Sequence, residues 1–109
     1  MRVILLPEVL EQLEDLSVLL YEKKYFSFED TALEYVLELY DDIVLTLPIR
    51  QHKPASSYFD RYGKDMHYAS FRKNKQTTWY AFFVTYYENG NTVYLVRHIE
   101  NNHTAAQYL

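Results

Sequence analysis

Residues 77–102, TTWYAFFVTYYENGNTVYLVRHIENN, constrain this chain more than any other stretch. Residues 77–87 are almost all β-branched or aromatic, which suits a pleated, half-buried surface. Glu88-Asn89-Gly90-Asn91 follows, and then a second apolar run over 92–99. Asn-Gly is a strong signal for a two-residue turn, because a type I′ turn needs positive φ at both central positions. The stretch therefore predicts a β-hairpin closed on Asn89-Gly90. That closure pairs Tyr86 with Val93, Val84 with Leu95, Phe82 with Arg97 and Ala81 with His98. Alternation along each strand then divides the side chains into two faces. Tyr80, Phe82, Val84, Tyr86, Val93, Leu95 and Ile99 form the face expected to take the core. Trp79, Ala81, Phe83, Tyr94, Val96 and His98 lie on the other, which is also apolar and suggests central strands or an occupied surface. Arg97 is the misfit on the first face. Either it ends the sheet or the register shifts near it.

The remaining chain supplies helices. Residues 2–6 form a short apolar strand that stops at Pro7, and Pro7 suits the first turn of a helix. Val9, Leu10, Leu13, Leu16 and Leu20 recur at helical spacing, predicting a helix over 7–22. Residues 23–26 are a connector, and Ser27-Phe28-Glu29-Asp30 reads as a capping box. Phe28, Leu33, Val36, Leu37, Tyr40, Ile43, Val44 and Leu47 mark a second helix over 28–47, ended by Pro48. Two helices with a short link make an antiparallel pair. Residues 48–65 hold two prolines, two serines and Gly63, a long connection with a strand piece expected at 58–62. Residues 66–71 alternate as a strand, and Arg72-Lys73-Asn74-Lys75-Gln76 is a basic turn into the hairpin. The order is strand, helix, helix, then antiparallel strands. It predicts one α+β domain of two layers over 1–109, with the N-terminal strand and helical hairpin on one face of a small antiparallel sheet.

Composition narrows the function. At 109 residues and 49% hydrophobic, the chain is long enough for one core. It has no cysteine, so neither a disulfide framework nor thiolate chemistry is available, and cytoplasm is the expected location. Its apolar runs are too short to span a bilayer, so no membrane partner is expected. Two glycines exclude a phosphate-cradling glycine loop, and His98 and His103 lack the spacing of a helical metal pair. Residues 1–49 carry three basic and eleven acidic side chains, whereas 50–109 carry eight basic and four acidic. Such asymmetry marks either a polyanion-facing half or a pair of helices with acidic outer faces.

The opening VILLPEVLEQL, the helix hairpin with ALEYVLELYDDIVLTLP, the strand bearing Arg72 and the closing hairpin VYLVRHIENNHTAAQYL together resemble the RelE/ParE toxins of bacterial toxin–antitoxin (plasmid stabilisation) pairs. The likeness covers most of the chain and is architectural. It implies a toxin neutralised by a cognate antitoxin that wraps the sheet and helices. It further implies either cofactor-free, metal-independent mRNA cleavage on the ribosome or poisoning of DNA gyrase. For cleavage, the resemblance places Arg72 and Arg97 on the phosphate, with Lys73 and Lys75 beside them as nucleic-acid contacts. His98 or His103 would serve as base or acid, and Tyr108 would stack on a base or act from the tail. Each has a structural alternative: a solvated turn, a paired strand arginine, a packed histidine, a docked tail. Toxins of this class are usually basic, whereas this chain has a pI near 5.5. The low value favours a third reading, a non-catalytic binding module on the same fold. An exposed apolar sheet face would further predict a partner segment or a homodimer.

Overall fold

The computed structural model describes residues 1–22 and 29–109. The connector at 23–26 and the capping box that opens at Ser27 lie outside the described residues. Strand β1 (Arg2–Leu5) leads into helix α1 (Pro7–Glu22), and helix α2 (Glu29–Thr46) returns against it. A 3-10 turn at Leu47–Ile49 carries Pro48, which cannot continue the helix. The strands β2 (Lys53–Pro54), β3 (His67–Arg72), β4 (Thr78–Glu88) and β5 (Asn91–Asn101) follow, then a short helix α3 (Asn102–Ala105). The sheet order is β1-β5-β4-β3-β2. Among the described residues only the β1–β5 pair is parallel; the other pairs are antiparallel. The protein is thus an α+β fold with its helices packed on one face of a five-stranded mixed sheet.

The hairpin closes where Asn89-Gly90 requires. Asn89 has φ 51° and Gly90 φ 80°, the positive values of a type I′ turn. Tyr86 faces Val93 and Val84 faces Leu95, as expected. Beyond that the register departs from the expectation. Phe83 pairs with Val96 and Phe82 with His98, so Arg97 is an inserted bulge residue. Phe82 therefore does not face Arg97, and Ala81 faces Ile99 rather than His98. A bulge spares a charged side chain a place in the middle of an apolar ladder.

The faces are also assigned differently from the sequence reading. The helices cover Ala69, Phe71, Trp79, Ala81, Phe83, Tyr94 and Val96, joined by Ile99, which the bulge turns to this side. Val9 and Leu13 of α1 and Ala32, Val36, Leu39 and Ile43 of α2 are buried, and all but Ala32 belong to this core. Trp79 Nε1 donates to the Tyr35 hydroxyl at 3.0 Å, tying α2 to β4 through the largest side chain on that face. In α2 the buried row runs 32, 36, 39, 43, so Leu33 and Leu37 of the expected stripe face outward.

The face first expected to meet the helices holds a second, smaller core. Phe59, Met66, Tyr68, Phe82 and Ala105 are buried together there. The strand piece expected at 58–62 is instead a 3-10 helix over Ser57–Arg61, whose Phe59 is fully buried. Its ring stacks on Phe82 with centroids 4.2 Å apart. Strand pairing would have alternated Tyr58 and Phe59 to opposite sides; the 3-10 turn lets Phe59 plug the sheet and Tyr58 stay near the surface. This face is therefore covered by the chain itself around Phe82. The hairpin tip is bare, with Tyr87 81% exposed, and His67 and Ser70 of β3 are exposed as well.

Candidate functional site

The second face gathers several of the groups that carry potential chemistry. His98 is buried on it, and Glu100 shares that face two residues on. His98 Nε2 lies 2.7 Å from Glu100 Oε1. The imidazole also stacks on Tyr62, with centroids 3.6 Å apart and planes 5° apart. Phe82 closes its other surroundings at 5.8 Å. Burial lowers the His98 pKa; the hydrogen bond and charge of Glu100 oppose this without overcoming it. His98 is thus held neutral near pH 7, as a packed hydrogen-bonded ring.

Arg97 is fixed by the backbone of the same segment. Its Nε donates to the Tyr62 carbonyl at 2.9 Å. Gly63, at φ 155°, lies directly against this side chain, and a Cβ there would sit 2.7 Å from Arg97 Nε and 2.9 Å from its Cδ. Gly63→Ala must therefore strain the backbone and push Arg97 off Tyr62. We expect it to cost about 1–3 kcal/mol of stability, read as a lower urea midpoint at unchanged slope. A midpoint equal to wild type would show that Arg97 moves aside without loss.

Tyr108 docks on the neighbouring turn. Its ring stacks on Tyr58, centroids 3.6 Å apart, and its carbonyl accepts from Ser56 Oγ. The Arg61 guanidinium lies over the opposite partner, 4.5 Å from the Tyr58 centroid. Burial holds the Tyr58 hydroxyl above its ordinary pKa; Arg61 pulls the other way, while Tyr108 and Glu100 add to the rise. A phenol so placed donates hydrogen bonds at neutral pH and does not act as a base.

Three of the sequence-derived candidates, Arg97, His98 and Tyr108, thus meet residues 58–62. The other candidates do not join them. Arg72 ends β3 opposite Thr78, and its Nε donates to the Asn74 carbonyl. Arg97 lies across from Phe82 and Phe83, so Arg72 is about 13 Å away along the sheet, and β4 stands between their strands. Lys73 turns to the helices, where its Nζ is 3.5 Å from Glu38 and 4.9 Å from the Tyr35 ring centroid. Lys75 is exposed in a turn whose amides at 76 and 77 donate to Asn74 Oδ1. His103 is exposed on α3, and its amide donates to the Asn101 cap.

Sequence reasoning missed Tyr58, Arg61, Tyr62 and Glu100. The i, i+2 spacing of His98 and Glu100 on a strand was the one available signal for their pairing. It also missed Arg50, which stitches the helix end to the sheet. Arg50 donates to Thr46 Oγ1 at 2.8 Å, Asp42 Oδ1 at 3.0 Å and the Ser70 carbonyl at 2.9 Å. Its guanidinium lies 4.2 Å from the Phe71 centroid. The four-residue spacing of Asp42, Thr46 and Arg50 announces that ladder.

Among the described residues no helix is long and apolar enough to cross a membrane. No protein-family model matches the chain, and neither does any curated protein or any solved structure.

Proposed function

We propose that this chain is a toxin-type protein of the RelE/ParE class that acts by docking on a macromolecular target, not by cutting RNA. The class is supported by the element order on which the resemblance rests, a strand and helix pair followed by antiparallel strands. Docking is supported by one observation above the rest: the groups that cleavage would need do not gather at one open site, and the histidine among them that lies beside Arg97 is committed to the fold. A base must reach a 2′-hydroxyl, yet His98 is buried between Tyr62 and Phe82 and bonded to Glu100. Phosphate cations must converge, yet Arg72 ends β3 beside the base of the hairpin, whereas Arg97 sits at the bulge midway along β5. The acidic balance of the chain points the same way, because it weakens attraction to a polyanion. In this reading the partners are a cognate antitoxin and a protein target of the gyrase type, in the cytoplasm.

Induced expression in a bacterial host tests it. Growth arrest with intact messenger and altered plasmid supercoiling is the expected result. Messenger cut at codons, abolished by Arg72→Ala or Arg97→Ala, would restore the ribonuclease reading and overturn docking. Unimpaired growth from abundant folded protein would remove the toxin and leave a non-catalytic binding module.

A further inference from the structure

The outer side of the helical pair carries apolar surface that the core does not use. Leu10 of α1 and Leu33 and Leu37 of α2 are 44%, 46% and 51% exposed. With Tyr40 they wall a groove of about 290 Å³ between the two helices, floored by Leu13 and Val36. Val18 and Tyr21 continue the apolar surface along α1. Leucines recurring at three- and four-residue spacing along a groove are the form in which one helix receives another.

The rim decides what can enter. Neither α1 nor α2 carries a single Lys or Arg. Glu14 lines the groove, Glu11 lies one turn before it, and Glu34 and Asp41 flank the α2 leucines, all four exposed. A second copy of this chain docking by the same face would set these carboxylates against their equivalents, which is unfavourable where water is excluded. The complementary occupant has leucine-type side chains on one face and Lys or Arg beside them. We infer that the α1–α2 groove is a docking site for a basic amphipathic helix supplied by another protein. This rests on the groove and its charge, and stands whichever cellular target the chain has.

The probe is a fluorescent synthetic helix of leucine and lysine, about five turns long, titrated into the full chain and followed by anisotropy. A scrambled Leu/Lys peptide and a Leu/Glu helix are the controls. Saturable binding of the amphipathic Leu/Lys helix alone is expected, weakening as salt rises. Leu37→Gln and Leu10→Gln, both at exposed positions with folding checked by circular dichroism, should each weaken it about ten-fold, the equivalent of one lost leucine anchor. Equal binding of the scrambled peptide, or no effect of either substitution, would overturn the groove as the site. A dimer in sedimentation that Leu37→Gln converts to monomer would overturn the choice of partner, because a second copy would then hold the face.

Discussion

Phe59→Ala should cost about 3–5 kcal/mol and lower the thermal midpoint by roughly 15–30 °C, a large share of the margin of a chain this size. Phe59 is fully buried although it comes from a five-residue 3-10 turn that pairs with no strand. Its ring covers Phe82, and around the two lie Met66, Tyr68 and Ala105. Removing it leaves a cavity that this turn cannot collapse to fill. The turn is pinned on both sides, by Tyr62 under His98 and by Tyr58 under Tyr108. The damage should therefore spread to the tail, and dye binding to exposed apolar surface should rise before unfolding. Tyr87→Ala, at a position 81% exposed on the hairpin tip, is the control and should stay within about 0.5 kcal/mol of wild type. A cost for Phe59→Ala as small as that would mean residues 57–61 rest loosely on the sheet. The second face would then be open to a partner, and the reading of His98 as a sealed residue would fail with it.

That turn is also where sequence reasoning had least to work with. Elements that depend on near neighbours were legible. Pro7 and Pro48 bound the helices, and Asn89-Gly90 fixes the upper hairpin, because a proline or a positive φ acts within a residue or two. The face the helices choose is not local information. Both faces of β4 are apolar, so period-two alternation alone could not rank them. The two faces differ in what covers them: two helices lie over Phe71, Trp79, Phe83 and Tyr94, whereas Phe59, Met66 and Ala105 from short segments close over Phe82. The bulge at Arg97 had a visible cause, a charge on an apolar ladder, but its consequence is a register change that carries Ile99 to the helical side. The candidate site was legible in the same measure. His98 and Tyr108 were singled out for their chemistry, and the contacts that define them come from Tyr62 and Tyr58, tens of residues away.

Acid should expose the role of His98. Its neutral ring is favoured in the fold, chiefly by burial, while the same imidazole in the unfolded chain takes up a proton near its ordinary pKa of about 6.5. Below that value the unfolded state binds more protons, so stability falls as pH falls. The contribution is complete above about pH 6.5 and is lost as the pH drops through the lower folded value, with a slope no steeper than about 1.4 kcal/mol per pH unit. Glu100 is the charged group facing the ring, and it works against the effect by favouring the protonated form. His98→Gln retains an amide donor for Glu100 and removes the titration. The difference between wild-type and His98→Gln stability should shift steadily against wild type from about pH 6.5 toward pH 5, above the range where ordinary carboxylates protonate. Parallel profiles would mean that His98 is already solvated or charged in the folded chain. The same variant divides the functional readings. A histidine serving as general base would lose about 100- to 10,000-fold in cleavage on this substitution. A histidine that packs under Tyr62 leaves the docking surfaces intact, so growth arrest at neutral pH should persist wherever the variant folds.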